Sequence, residues 1–310
     1  MLAWLFPGQG SQQVGMGRAL CEASPAARQV FERADAALGY ELSKLCFEGP
    51  ESELVLTKHA QPAIVATSMA MLAAMREALP DLPRPAFGAG HSLGEYSALV
   101  AADCLSLEDA VKLVHLRGKA MQEAVPPGQG AMAAIVGADA ESVDKLCRDA
   151  AESEVVTAAN FNAPGQIVIA GHAAAVERAG RLAAERKFRA IPLKVSAPFH
   201  SPLMAPAAAV LDRALAEVRI DKPSFPVVSN VEAQPNSNAE RVRELLVRQV
   251  DAPVRWEQSI RFMAEAGVVR ALEIGPGTVL AGLVKRIDKR IAVQSLDGPG
   301  AIATLRQALG

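Results

Sequence analysis

The sequence is poor in aromatic side chains and has no excess of positive charge. Phe, Trp and Tyr together make up 4% of its 310 residues, and the formal net charge is -2. Nucleic-acid-binding domains typically carry basic patches, and single-strand binders add aromatic rings that stack on bases. We therefore expect no nucleic-acid partner.

Grouped cysteines and long apolar runs are also absent. The four cysteines are far apart: Cys21, Cys46, Cys104 and Cys147. This spacing favours neither a disulfide framework nor a zinc site. The longest apolar run, about 63–75, is interrupted by Thr67 and Ser68 and is shorter than the roughly 18 residues typical of a membrane span. Residues 2–6 are too short for a signal-peptide core. We expect a cytoplasmic protein with no membrane partner, no metal and no organic cofactor.

Short apolar segments alternate with amphipathic ones over most of the chain. The predicted strands are 2–6, 86–89, 226–229 and 270–274, and the predicted helices are about 16–38, 60–78, 107–124 and 239–249, with others opening near 93 and 279. This alternation is typical of a three-layer α/β fold, and we predict an α/β-hydrolase-like core.

The segment 127–195 has a different order of elements. It predicts strands at 131–136, 155–160, 166–170 and 189–195, and helices at 140–151 and 173–187. The order β-α-β-β-α-β is that of a ferredoxin-like unit. We predict a large catalytic domain formed by 1–126 and 196–310, with a ferredoxin-like small domain at 127–195 inserted into it.

A candidate nucleophile lies between the second predicted strand and the helix after it. Gly90-His91-Ser92-Leu93-Gly94 matches the pattern G-x-S-x-G. In this context the pattern indicates a nucleophile elbow, which presents Ser92 at a helix N-terminus where free N–H groups can stabilise an oxyanion. The alternative is an ordinary glycine-rich turn.

A serine nucleophile needs a base, and the chain has five histidines: His59, His91, His115, His172 and His200. His200 lies in an irregular segment where the predicted small domain rejoins the core, which makes it a candidate base; a structural role is equally compatible with the pattern. The acids between Ser92 and His200 include Asp139, Asp144 and Asp149. These three fall in a small-domain helix region, so no acid stands out as the third member of a triad.

A charged residue interrupts the apolar stripe of the helix at 107–124. Arg117 shares that stripe with Leu113, Val114 and Met121. An unpaired buried charge is costly, so Arg117 needs an anionic partner. A planar guanidinium can bind a substrate carboxylate with two hydrogen bonds. An internal Asp or Glu, or a side chain that reaches the surface, explains the pattern as well.

Several motifs in order along nearly the whole chain resemble those of the malonyl-CoA:acyl carrier protein transacylases of fatty acid synthesis. They are Phe6-Pro7-Gly8-Gln9-Gly10-Ser11-Gln12, GHSLGEY at 90–96, Arg117-Gly118-Lys119, NFNAPGQ at 160–166, Ala197-Pro198-Phe199-His200-Ser201, Gln249 and Gly275-Pro276-Gly277. The resemblance implies an acyltransferase that works through a malonyl ester on a serine.

The resemblance also implies roles for the catalytic residues. Ser92 would be the nucleophile and His200 the general base. Members of this family commonly orient the imidazole with a backbone carbonyl, which Gln249 would supply here, in keeping with the missing acid. The backbone N–H groups of Gln9 and Leu93 would form the oxyanion hole.

For the substrate, the resemblance implies that Arg117 binds the malonyl carboxylate. It also implies that Phe199 restricts α-branched acyl groups. The expected partners are malonyl-CoA and acyl carrier protein, and we expect a monomer. Two basic clusters are candidate docking sites for an acidic carrier protein, although solvated helix faces explain them equally well. They are Arg181, Arg186, Lys187 and Arg189, and Lys285, Arg286, Lys289 and Arg290.

Three alternatives stay open at this level. A serine esterase or thioesterase would share Ser92 and His200 but would not need Arg117. A binding subunit for the carrier protein would have a vestigial pocket. A stand-alone malonyl acyltransferase of a polyketide synthase would use the same chemistry as the fatty-acid enzyme, so motifs do not separate the two pathways.

Overall fold

The computed structural model describes residues 1–195 and 197–309, with side chains up to residue 305. The strands are β1 Leu2–Phe6, β2 Phe87–Gly90, β3 Gly130–Val136, β4 Val156–Ala163, β5 Gln166–His172, β6 Arg189–Pro192, β7 Val227–Val228, β8 Pro235–Asn236, β9 Arg270–Ile274 and β10 Ala292–Leu296. The α-helices are α1 Arg18–Ala23, α2 Pro25–Leu38, α3 Leu42–Glu48, α4 Glu51–Leu54, α5 Thr57–Ala78, α6 Gly94–Ala101, α7 Leu107–Glu123, α8 Ala140–Ala151, α9 Ala173–Glu185, α10 Ala205–Ala216, α11 Ala239–Asp251, α12 Trp256–Glu265, α13 Val279–Ile287 and α14 Pro299–Leu309.

The larger sheet has the strand order β10-β9-β1-β2-β7-β8 and is parallel except for β8. Side chains of β1 alternate between two cores. Trp4 and Phe6 pack on the side that holds α2, α5 and α7. Ala3 and Leu5 pack on the other side with α12 and α13. Helices therefore cover both faces of the sheet, and the core has three layers. Because both faces of β1 are buried, the strand is apolar throughout, as is typical of parallel sheets.

The smaller sheet is antiparallel and has the order β4-β5-β3-β6. Its own hydrophobic core joins β3, β4 and β5 to α8 and α9. The predicted fold class, a three-layer α/β core with a ferredoxin-like unit, is confirmed. All four strands lie between 130 and 192, inside the predicted segment 127–195. The limits of the two domains stay a prediction, with Ser196 outside the described residues.

The structure differs from the predicted elements in several places. The predicted helix 16–38 is two helices, because Ser24 caps α2 through its Oγ and Pro25 occupies the first turn. Such a cap and a first-turn proline mark a helix start. The predicted strand 189–195 ends at Pro192, although Leu193 N still donates a hydrogen bond to Met132 O of β3 at 2.9 Å. No pattern in the sequence predicted α3, α4, α10, α12, α14, β8 or β10.

Candidate active site

Ser92 lies in a sharp turn between β2 and α6. Its φ of 53° is in the left-handed region that non-glycine residues rarely adopt, at a cost of about 1–3 kcal/mol. The two flanking glycines are required by space. A Cβ on Gly90 would lie 1.9 Å from Gly94 C, and one on Gly94 would lie 2.3 Å from Phe6 O. The strand, turn and helix therefore approach so closely that only glycine fits on either side of Ser92.

His200 meets Ser92 at hydrogen-bond distance. His200 Nε2 lies 2.8 Å from Ser92 Oγ, and His200 Nδ1 lies 2.8 Å from the backbone O of Gln249. Because a carbonyl oxygen only accepts, Nδ1 carries the hydrogen, which leaves Nε2 of the neutral ring as an acceptor for the serine proton. Burial, and next the charge of Arg117, lower the pKa of His200 to about 3. The imidazole is therefore neutral at pH 7.

The three aspartates considered as third members of a triad lie elsewhere. Asp139 caps the N-terminus of α8, Asp144 pairs with Arg148, and Asp149 pairs with Arg186. The orienting group of His200 is thus a backbone carbonyl. The other histidines have contacts of their own: His91 with Asn162 Oδ1, His59 with Glu53 O, His115 with Lys58 O, and His172 with Val155 N.

The two backbone N–H groups predicted to form the oxyanion hole belong to Gln9 and Leu93, and both residues lie near Ser92. Gln9 lines the same cavity as Ser92, and Leu93 is the N-cap residue of α6. The hydrogen bonds found within residues 1–195 and 197–309 include none donated by either N–H. The arrangement leaves both groups available to an oxyanion at the start of a helix, where the macrodipole also favours negative charge.

Arg117 is 2% exposed and reaches Ser92. Its Nη2 donates to Ser92 Oγ at 3.1 Å and to Gln249 Oε1 at 3.0 Å, and its Nη1 donates to Gln61 Oε1 at 2.8 Å. Burial lowers the pKa of Arg117. Within the described residues no carboxylate forms an ion pair with it, and its Nε has no hydrogen-bond partner. Neither an internal ion pair nor a surface-reaching side chain accounts for this arginine.

Three residues that contact this group were not predicted from the sequence: Gln61, Glu95 and Asn230. Asn230 accepts a hydrogen bond from Ser92 N at 2.7 Å and donates to Gly90 O at 2.7 Å. Glu95 was detectable in principle, since it is the one charged residue in the short apolar helix GEYSALVA. Gln61 and Asn230 carry no comparable signal, because a single amide in a helix or loop fits many roles.

A cavity of about 290 Å³ opens at Ser92. Phe199, 8% exposed, forms part of its wall. Other lining residues include Gln9, Arg117, Met121, Met132, Asn160, Lys194 and His200. Another cavity, of about 310 Å³, lies at the amino ends of β1, β9 and β10 and is mostly apolar. Ligands of α/β sheets bind at the carboxyl ends of the strands, which is where Ser92 lies.

Comparison with known proteins is consistent with this geometry over the whole chain. The acyl transferase domain family matches residues 3–297. The malonyl CoA-acyl carrier protein transacylase of Escherichia coli is 49% identical over 303 residues, 97% of each chain. That of Bacillus subtilis is 49% identical over 312 residues, 99% of this chain and 97% of the relative. The chain belongs to the malonyl-CoA:acyl carrier protein transacylases of the acyl transferase family.

Solved structures of this transacylase family superpose closely on the chain. The acyl carrier protein S-malonyltransferase of Vibrio cholerae gives a TM-score of 0.95 at 45% identity and covers 98% of this chain and 99% of that one. A malonyl-transacylase solved with the acyl carrier protein of a type II polyketide synthase gives 0.96 at 46% identity, with 99% of each chain covered. The family membership predicted from the motifs is confirmed.

Two further properties concern the described part of the chain. None of its helices combines the length and the hydropathy that a bilayer crossing requires. Its His, Cys, Asp and Glu side chains form no cluster of three or more suited to a metal ion.

Proposed function

We propose that this protein transfers malonyl from malonyl-CoA to the phosphopantetheine thiol of acyl carrier protein, through an ester on Ser92, for fatty acid synthesis. The observation that carries the substrate assignment is Arg117, a buried cation without a carboxylate partner among the described residues, in contact with Ser92 Oγ. A malonyl carboxylate supplies the missing anion. Its oxygens also provide an acceptor for Nε, which has no partner in the described structure.

In the first half-reaction His200 Nε2 takes the proton of Ser92 Oγ as that oxygen attacks the thioester carbonyl of malonyl-CoA. The negative charge on the carbonyl oxygen is stabilised by the N–H groups of Gln9 and Leu93. The C–S bond then breaks, and the proton on His200 passes to the sulfur of coenzyme A. The product is a malonyl ester of Ser92.

In the second half-reaction the thiol of the carrier's phosphopantetheine gives its proton to His200 and attacks the ester carbonyl. The same two N–H groups hold the oxyanion. The ester C–O bond breaks, Ser92 Oγ regains the proton from His200, and malonyl leaves on the carrier. The carbonyl of Gln249 keeps the imidazole in the tautomer that both steps need.

Transfer to a thiol has to compete with transfer to water. Arg117 holds the malonyl carboxylate, so the ester carbonyl keeps one orientation in the cavity. A thiol delivered on its own arm gains from that alignment, whereas loosely held water does not. A serine thioesterase has no need for such a cation, which favours the transferase.

A polyketide role is a second candidate, because one of the similar solved structures holds a polyketide synthase carrier protein.

The two basic clusters are the candidate docking faces for the carrier protein. In the first basic cluster Arg181 and Arg186 are ion-paired with Glu177 and Asp149. In the second, Arg290 is paired with Asp288. A cytoplasmic location and a monomeric state complete the proposal.

The decisive experiment is intact-protein mass spectrometry after brief incubation with malonyl-CoA, followed by addition of holo acyl carrier protein. We expect a malonyl adduct that maps to Ser92 and moves to the carrier. Ser92→Ala should form none, whereas Ser97→Ala, which alters a buried serine of α6, should form it normally. Free malonate released without carrier would favour a hydrolase, and no adduct on the parent would favour a binding subunit.

A further inference from the structure

Glu95 is a buried carboxylate that the proposed reaction does not use. It lies in the first turn of α6 and is 3% exposed. Its Oε2 accepts two hydrogen bonds, from Gln249 Nε2 at 2.7 Å and from Asn230 N at 3.0 Å. No cation forms an ion pair with it within the described residues, so hydrogen bonds are its principal contacts.

The two residues that donate hydrogen bonds to Glu95 also hold the backbone N–H and the backbone carbonyl of Ser92. Asn230 Oδ1 accepts from Ser92 N at 2.7 Å, and Gln249 Nε2 donates to Ser92 O at 3.0 Å. Ser92 needs this support because its φ is 53°, and strained conformations persist only where the surroundings over-determine them. One carboxylate oxygen thus joins the groups on both sides of the strained residue.

Glu95 also sets the orientation of the Gln249 amide. With Nε2 directed to Ser92 O and Glu95 Oε2, the amide oxygen faces Arg117 Nη2 at 3.0 Å. The backbone carbonyl of the same glutamine orients His200. If the amide were rotated by half a turn, its NH₂ group would face the guanidinium. Both groups are donors, so no hydrogen bond would form between them.

We propose that Glu95 is a positioning residue, whose Oε2 is the shared acceptor that holds Asn230 and Gln249 and through them the reactive geometry of Ser92, Arg117 and His200. This inference rests on the proposed function of Ser92. The position of the acceptor oxygen, not the negative charge, carries the effect, because both hydrogen bonds converge on one oxygen. An amide oxygen in the same place accepts both.

The electrostatics of Glu95 agree with a role that does not depend on charge. Burial raises the pKa of Glu95 to about 7, although its hydrogen bonds and the nearby Arg117 oppose the rise. The titratable groups that face it are Arg117 on α7 and Tyr96 on α6. A protonated carboxyl still accepts through its carbonyl oxygen, so the network survives on either side of that pKa.

Two conservative variants separate position from charge. Glu95→Gln keeps the acceptor in place and removes the charge, whereas Glu95→Asp keeps the charge and withdraws the acceptor by one methylene. We expect the rate of Ser92 acylation at saturating malonyl-CoA, measured by rapid quench and mass spectrometry, to stay within about fivefold of the parent for Glu95→Gln. For Glu95→Asp it should fall about 100-fold, since misplacement by an ångström has that effect.

Glu273 provides the matched control. It is also buried, and it accepts hydrogen bonds from Leu280 N and Ala281 N at the start of α13 and from Ser295 Oγ on β10. Glu273→Asp should lower the melting temperature and leave the acylation rate per folded molecule within about threefold. A purely structural Glu95 would behave in the same way.

The outcomes are distinct. The inference would be overturned if Glu95→Asp were acylated at the parent's rate. It would also be overturned if Glu95→Gln were acylated as slowly as Glu95→Asp. Should Glu95→Asp fail to fold, Asn230→Ala decides, because it cuts the link from Glu95 to Ser92 N; we expect at least tenfold slower acylation, and the parent's rate would overturn the inference. A parent that forms no adduct would refute the proposed function itself.

Discussion

Arg117 Nη2 donates a hydrogen bond to Ser92 Oγ at 3.1 Å. The buried cation therefore touches the oxygen that we propose as the nucleophile. A cation at this distance favours negative charge on Oγ during attack. In the proposed reaction the same guanidinium binds the malonyl carboxylate and holds the acyl group next to the serine.

Replacement of Arg117 should change which acyl group the enzyme prefers. We expect Arg117→Ala to lower kcat/KM for malonyl-CoA by 100-fold or more, because breaking a buried charge pair costs about 3–5 kcal/mol. Acetyl-CoA has no carboxylate, so its kcat/KM should change less than tenfold. Steady-state assays with both thioesters measure the ratio. Arg219→Ala, at an exposed ion pair outside both basic clusters, is the control; equal losses for both thioesters would refute the carboxylate assignment.

The low pKa of His200 predicts an unusual pH profile. Burial and the neighbouring Arg117 lower the pKa to about 3, so the base stays neutral well below the ordinary value of about 6.5. We expect kcat/KM for Ser92 acylation to be flat between about pH 5 and 7. A profile that falls to half near pH 6.5 would show that His200 titrates like an exposed histidine.

The same shift makes stability depend on pH. The folded state holds His200 neutral, with a pKa lowered to about 3, so the unfolded chain binds the extra proton. The stability contribution is full above about pH 6.5 and is lost as the pH falls towards 3. Between pH 7 and 5 the parent should lose about 2 kcal/mol more than His200→Gln. Urea unfolding at both pH values measures the difference, and parallel losses would contradict it.

Phe199 should control access by branched substrates. The ring is 8% exposed and forms part of the cavity wall at Ser92. We expect Phe199→Ser to raise methylmalonyl loading relative to malonyl loading at least tenfold, because space opens beside the α-carbon. Competition between the two thioesters, read by mass spectrometry, gives the ratio. Met132→Ala enlarges the same cavity at another point; an equal gain there would show that volume alone decides.

Two glycines in different surroundings should respond in opposite ways to alanine. A Cβ at Gly90 would lie 1.9 Å from Gly94 C, whereas a Cβ at Gly282 in α13 would meet no atom within 4 Å beyond its chain neighbours and the backbone of its own helix. Gly90→Ala should therefore prevent or severely destabilise folding. Gly282→Ala should raise stability by about 0.5–1 kcal/mol, the helix preference for Ala over Gly. Thermal unfolding of both variants tests the pair; a stable Gly90→Ala would contradict the close packing at the elbow.

The elements predicted from the sequence are those with strong local patterns. The apolar strand β1, the helix α8 and the strand–turn–helix around Ser92 occur where they were predicted. Segments with weak or mixed patterns were missed, such as α10, which contains Pro206 in its first turn. A proline in the first turn costs no helical hydrogen bond, because the N–H groups of that turn have no partner within the helix. In the sequence, however, a proline is typical of the end of a helix.

Local sequence by itself determined the nucleophile elbow, the amphipathic helix that carries Arg117 and the β-α-β-β-α-β order of the small domain, because each depends on residues only a few positions apart. The family motifs pointed to His200 and Gln249. Only the tertiary structure decided that Asn230, 138 residues from Ser92, holds its N–H, and that Glu95 joins Asn230 to Gln249. In the larger sheet β2 lies between β1 and β7, so loops that are distant in the chain meet at one edge of the sheet. No periodicity in the sequence predicts that these loops are close together.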